Sequence, residues 1–250
     1  MNIPPDLLAR IQATGITEED YERIGQFTNM VDSISPLFFQ AFSIFDYHKM
    51  RIHHIATKNY GLLNMDREEA MNKGGDYIYS YMTENESNKT LTLAACRQDF
   101  VRNQPACERK NIVFFRNFPV QIHGKSTAIS YRSIALEIAP DGRTWLGLGI
   151  QSLSPLKKGN LLVAQNIKTH EQWTLDMDSE QWVKTSLPQL SDKEREILNL
   201  AAQGLMTKEI ADILNRTEST IETHRRALFK KLNVTNMMEA VGYAMTYHLL

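Results

Sequence analysis

The 250 residues predict an α+β protein in two parts, an antiparallel sheet with helices over residues 1–185 and a set of short helices over 186–250. Three observations carry that expectation. Strand patterns near residues 38–57 and 112–153 flank a helical middle. Asp141-Gly142 sits between two alternating runs, a strong hairpin signal. After Pro188 the strand patterns stop, and helical periodicity interrupted by tight breaks takes over.

Composition narrows the function classes. The chain is 42% hydrophobic and 23% charged, as in soluble proteins with ordinary cores. A net charge of −1 excludes polyanion binding by bulk electrostatics, so any nucleic-acid contact must come from a local patch. Cys96 and Cys107 form no CxxC pair, which points to two free thiols in a reducing cytosol and away from zinc or disulfides. Met1-Asn-Ile-Pro-Pro-Asp lacks the basic and apolar regions of a signal peptide. No apolar run approaches the roughly 18 residues that span a bilayer. A cytoplasmic protein with no membrane partner is expected.

Residues 3–34 read as helical, with Thr17 capping an acidic first turn and Tyr21, Ile24, Phe27 and Val31 at helical spacing. After Ser35-Pro36, a central strand is expected from Phe38 to Tyr47 and a second from Arg51 to Thr57. Short helices follow from Asn59 and Asp66, Gly74-Gly75 is a break, and Lys89 to Asn103 is a longer helix ending before Pro105. Three strands come next, Ile112–Ile122, Thr127–Ile138 and Thr144–Leu153, with His123-Gly124 turning the chain between the first two. A further hairpin is expected over Leu161–Asn166 and Gln172–Leu175, and a short helix over Glu180–Lys184.

The order of two strands, a helical middle and three antiparallel strands predicts helices on one face of the sheet. Over about residues 36–153 this order resembles the PAS sensor fold. The resemblance implies either a pocket for an unidentified small ligand between the helices and the inner sheet face, or a sheet face that mediates dimerisation. No defined cofactor is expected.

The C-terminal stretch is more specific. Ser191-Asp-Lys-Glu194 fits a capping box, and Gly204 is a natural helix stop. Thr207 is expected to cap a second helix burying Ile210, Ala211, Ile213 and Leu214, with Asn215 ending it in a left-handed conformation. Thr217 caps a third helix. Residues 207–226 thus have the layout of a helix-turn-helix. On a wheel centred at Ile221, Leu228 and Leu232 fall within roughly 20°, while Thr223, Arg226 and Lys230 fall opposite, flanked by Glu222 and Ala227. Residues 189–250 hold eight cations and eight acids, but four of the cations lie in Arg225–Lys231 with only uncharged residues between them. Taken alone, that is balanced between a DNA-binding face and a helical bundle with a solvated basic face.

Leu190-Ser-x-x-Glu194, Gly204, Lys208-Glu-Ile-Ala211, Thr220-Ile-Glu-Thr-His224 and Lys231-Leu-x-Val234-x-Asn236 resemble the LuxR-type DNA-binding domain, also called FixJ- or GerE-type. The resemblance covers about residues 186–250. It implies a bacterial, dimeric transcription regulator that is not an enzyme, with double-stranded DNA as partner and RNA polymerase as a further candidate. It implies a four-helix domain whose third helix enters the major groove and whose fourth helps dimerisation. Carried over position by position, Glu222, Thr223 and Arg226 face bases, while Lys208, Thr220, Lys230 and Lys231 lie near phosphates; Arg225, toward the core side of the wheel, completes the set. Glu222 stands where the family often has lysine, which hints at a different base preference. Met237 stands where it usually has arginine. Asn236 to His248 is apolar over a wide arc, more than one buried stripe requires.

Other constellations read as structural. His53 and His54 point to opposite faces of a strand and serve one metal poorly. His224 reads as a packing and hydrogen-bonding residue, and Cys96 as a buried free thiol. Gly147-Leu-Gly149 is no phosphate loop, since no helix follows it. A response regulator is disfavoured because no receiver-like strand–helix alternation appears. An acyl-homoserine-lactone sensor is disfavoured because no tryptophan precedes Trp145. A ligand-binding quorum-sensing-like regulator and a protein-interaction module remain the alternatives.

Overall fold

A computed structural model describes residues 3–56, 67–74, 77, 79–122, 124–154, 162–247 and 249–250. The described residues divide into two compact units, the first ending at Thr185 and the second holding Ser186 to Leu250 together with Ser154.

The first unit opens with helices α1 (Pro5–Ile11), α2 (Glu18–Tyr21) and α3 (Ile24–Ile34). Thr17 caps α2, and the Asp20 carboxylate accepts the Thr17 amide in return, at 2.9 Å. Strands β1 (Ala41–Asp46) and β2 (Arg51–Ile55) lead to α4 (Arg67–Lys73) and the long helix α5 (Glu84–Asn103). Strands β3 (Ile112–Ile122), β4 (Lys125–Ile138), β5 (Thr144–Leu153), β6 (Leu162–Asn166), β7 (Gln172–Asp176) and β8 (Gln181–Thr185) complete the unit. All pair antiparallel in one sheet of order β2-β1-β5-β4-β3-β6-β7-β8.

Four expectations are corrected. Residues 181–185 form strand β8 and not a helix. Five residues make a marginal helix, whereas pairing with β7 satisfies the backbone and sends Trp182 inward against Phe100, ring centroids 4.5 Å apart. Trp182 Nε1 also donates to the Cys96 carbonyl at 3.2 Å. β1 starts at Ala41 because a 3-10 turn over Ser35–Leu37 precedes it, leaving Phe39 88% exposed. α5 starts five residues earlier than expected because Thr83 accepts the Glu86 amide and caps it there. Helices also cover both sheet faces. Tyr21 of α2 donates to buried Asp46 at 2.7 Å and Asp32 of α3 pairs with His54, so α2 and α3 lie on the face of Ile44 and Leu148. α5 lies on the other face, where Arg97 donates to Ser133 and Phe100 meets Phe114. The helix expected from Asn59 and the turn at His123 lie outside the described residues.

Between α5 and the inner sheet face is a cavity of about 130 Å³ lined by β1–β6 and α5. Its floor depends on two glycines of β5. A Cβ on Gly149 would lie 2.7 Å from the Tyr131 ring, and one on Gly147 would lie 3.1 Å from the Tyr47 ring. Both tyrosines line the cavity. Gly147-Leu-Gly149 therefore has a packing role.

The second unit holds α6 (Asp192–Ala202), α7 (Thr207–Ile213), α8 (Glu218–Leu232) and α9 (Met237–Thr246). Ile197, Ile210, Ala211 and Ile221 form its core, with Met237 packed against them. Each fully buried isoleucine contributes about 1.5–3 kcal/mol. Packing at Met237 is the use of the side chain that stands where the resembled family has arginine.

Candidate nucleic-acid interface

The ends of each helix are set by local chemistry. Ser191 Oγ accepts the Glu194 amide while Glu194 Oε2 accepts the Ser191 amide at 2.8 Å, the expected capping box. Gly204 takes φ +90° and Asn215 φ +51°, so both breaks use left-handed backbone. Thr217 caps α8 by accepting the Thr220 amide at 3.2 Å.

The cap of α7 differs from expectation. Met206 is the N-cap position, and its amide donates to Glu209 Oε2 at 2.7 Å. Thr207 is instead the first helical residue, and its hydroxyl reaches across to α8. It donates to Glu222 Oε1 at 3.1 Å and accepts from Arg225 Nη1, which also bonds Glu222 Oε1 at 2.9 Å. Ile213, expected in the core, is 53% exposed, because the 3.6-residue period carries it past the Ile210–Ala211 face that α8 covers.

The outward face of α8 follows. Ile221, Leu228 and Leu232 are buried, while Thr223, Arg226 and Lys230 are exposed. Thr223 Oγ1 donates to the Ser219 carbonyl at 2.9 Å. Thr220 is half-buried and shares a hydroxyl bond with Thr217 at 2.9 Å. Lys208 is exposed on α7. Among the described residues, Lys208, Arg226 and Lys230 make no ion pair.

The remaining cations of the site are tied inside the unit. Arg225 joins Thr207 and Glu222, with its guanidinium 5.9 Å from the Phe229 ring centroid. Lys231 Nζ bonds the Gln189 carbonyl at 3.1 Å and the Glu194 carboxylate, whose side chain is 7% exposed. Burial would raise the Glu194 carboxyl. The bonds from Lys231 and from the Ser191 amide and hydroxyl outweigh it and hold that carboxyl below its ordinary range. Eight sequence-predicted residues thus separate into an open set, Lys208, Thr223, Arg226 and Lys230, and an inward-bonded set, Thr220, Glu222, Arg225 and Lys231. Thr207 was not among them; it lies 15 residues from Glu222 on another helix, beyond the reach of helical spacing.

Residues 188–244 match the family described as bacterial regulatory proteins, luxR family. This segment is a luxR-family regulatory domain. The luxR-family segment is 41% identical over 61 residues to the transcriptional regulatory protein MctR of Rhizobium johnstonii, covering 24% of this chain and 28% of the relative. It is 46% identical over 52 residues to the nitrate/nitrite response regulator protein NarL of Escherichia coli, covering 21% and 24%. The chain thus spans about a quarter of the length of these curated relatives. Along most of its length it aligns with the structure of a phage VqmA–DPO complex at 14% identity, covering 92% of each chain with a TM-score of 0.33. At that score the likeness bears on neither fold nor ligand. No described helix is long and apolar enough to cross a membrane.

Proposed function

We propose that the chain is a sequence-specific DNA-binding transcription regulator in which α8 enters the major groove. The luxR-family match over residues 188–244 carries the reading. The α8 geometry supports it, because the helix seats one face in the core and leaves Thr223, Arg226 and Lys230 outward. Arginine recognises guanine O6 and N7 with two parallel bonds, and lysine neutralises phosphate. Glu222 reads cytosine N4 only by giving up part of its hold on Arg225 and Thr207.

A single copy of a charge-balanced domain binds DNA weakly, and a homodimer presents two copies of α8. Supporting this, Met238 and Met245 lie seven residues apart on α9 and are 75% and 61% exposed, one unburied stripe of an otherwise packed helix. The first unit is the sensor or dimerisation module. Its two strands, helical middle and three strands support the PAS reading of β1–β5, with β6–β8 as an extension. The cavity between α5 and the sheet supports a ligand-responsive regulator over a pure interaction module.

The test is selection of bound sequences from a random DNA pool by the full-length protein, followed by mobility shifts at several protein concentrations. Enrichment of a two-fold-symmetric site and a dimeric shift are expected. Salt-dependent binding with no enriched sequence overturns the reading.

A further inference from the structure

We propose that the cavity of the first unit binds a small amphiphilic acid, with its carboxylate held by Arg116 and its apolar body against the aromatic walls. This deepens the sensor reading above and rests on it. Phe45, Tyr47, Phe114, Phe118 and Tyr131 line the space. Two guanidiniums also reach it, Arg97 at 8% exposure and Arg116 at 6%. No carboxylate appears among the described lining residues.

The two arginines are not equivalent. Arg97 Nη1 donates to Ser133 Oγ at 2.9 Å, and its guanidinium lies 5.0 Å from the Tyr47 ring centroid and 5.6 Å from that of Phe114. Arg116 Nη1 donates to Thr90 Oγ1 at 3.0 Å, and its guanidinium lies 4.8 Å from the Phe118 ring centroid. Its Nε and Nη2 are buried and have no hydrogen-bond partner among the described residues. The nearest carboxylate oxygen, Glu86 Oε2, is 3.9 Å from Nη2, and the other oxygen of Glu86 faces Lys89 at 3.4 Å. Glu86 is thus shared between Arg116 and Lys89, while Arg97 adds a second cation to the cavity wall.

A buried guanidinium with unfilled donors is costly. Burial pulls Arg116 down to about 10 even though Glu86 and nearby tyrosines act the other way. Nε and Nη2 form one edge of the planar fork, the pair of parallel N–H groups that fits two carboxylate oxygens. A ligand carboxylate there fills both donors and reduces the charge excess. A neutral ligand of the same shape leaves a donor unmatched. The aromatic walls suit a flat or aliphatic body.

The test uses full-length protein with phenylacetate, 3-phenylpropionate and octanoate, each beside its primary amide, in thermal melts and isothermal titration. At least one acid should raise the melting temperature and bind about tenfold tighter than its amide, the worth of one charged hydrogen-bonded contact. Arg116→Gln should erase that preference. The acid–amide comparison on the unaltered chain decides the matter even if the variant fails to fold. No melting shift with any acid at millimolar concentration, equal binding of acid and amide, or an undiminished preference in folded Arg116→Gln overturns the proposal. DNA binding measured on the same preparations separates the two readings. Binding without acid preference leaves the regulator standing, and failure to bind any DNA overturns the regulator whatever the acids do.

Discussion

Arg116 in β3 and Arg226 in α8 both lack a carboxylate at hydrogen-bond distance among the described residues, yet Arg116 is 6% exposed and Arg226 is open to solvent. Arg116 is buried against the Phe118 ring, where screening is weak, so one well-shaped anion satisfies it and poor matches are penalised. Arg226 is hydrated and screened, and its contribution depends on salt and on the neighbours that share the same DNA. The second unit repeats the contrast over one residue. Lys230 faces solvent, and Lys231 is bonded to Glu194 and Gln189. Charge type does not assign a role; burial and existing partners do.

The largest effect is expected at the adjacent lysines. Lys231→Ala leaves the Glu194 carboxylate buried without its cation. Loss of one partner of a buried pair costs about 3–5 kcal/mol; because Lys231 is about a third exposed, we expect about 2–3 kcal/mol from denaturant unfolding of the second unit. The salt dependence of DNA binding should hardly move, and a clear fall in that dependence would place Lys231 on phosphate after all. Arg226→Ala comes next: discrimination between preferred and altered sites should shrink by about 1–3 kcal/mol with unfolding unchanged. Unaltered sequence preference would remove Arg226 from the base-reading face.

Lys230→Ala should leave stability within about 0.5 kcal/mol and lower the log–log salt slope by about one. A stability loss matching that of Lys231→Ala would erase the distinction between the two. The smallest effect is a pH dependence. The Glu194 carboxyl is held low in the folded state, so its contribution is fully present above the ordinary carboxylate value near pH 4.3. It is lost as pH falls through the folded value. Unfolding curves at pH 6 and pH 3.5 should differ less for Glu194→Gln than for the unaltered chain, and an equal difference in both would remove Glu194 from the acid response.

What was legible in the sequence was local. Ser191 and Glu194 are three residues apart and state their own cap, as do Thr17 and Asp20. Ile221, Leu228 and Leu232 fix the core side of α8 by period alone. The unread parts depend on distant partners. Lys231 and Glu194 are 37 residues apart, and the motif places that lysine near phosphate with no sign of its internal bond. Thr207 has cap chemistry, but Glu209 supplies the return bond to Met206 and frees the threonine hydroxyl for α8. β8 is too short to display a period, and its identity comes from β7 beside it. Arg116 did leave a trace, a cation on the same strand face as Phe114 and Phe118, where an apolar residue is the ordinary choice. Arg97 left none, since helix α5 is polar on much of its surface.

The glycines of β5 make the interior adjustable by single carbon atoms. Adding a methyl at position 149 would put it against Tyr131, and at position 147 against Tyr47, so each ring would have to shift within a space of about 130 Å³. The nearest atoms to a methyl at 149 all belong to Tyr131, whereas Tyr47, displaced by a methyl at 147, also faces the Arg97 guanidinium at 5.0 Å. At position 149, volume in this chamber can therefore change by a route that does not replace its charged residues. A population of such chains can drift in the size of molecule it accommodates while the grip on its charged end stays the same.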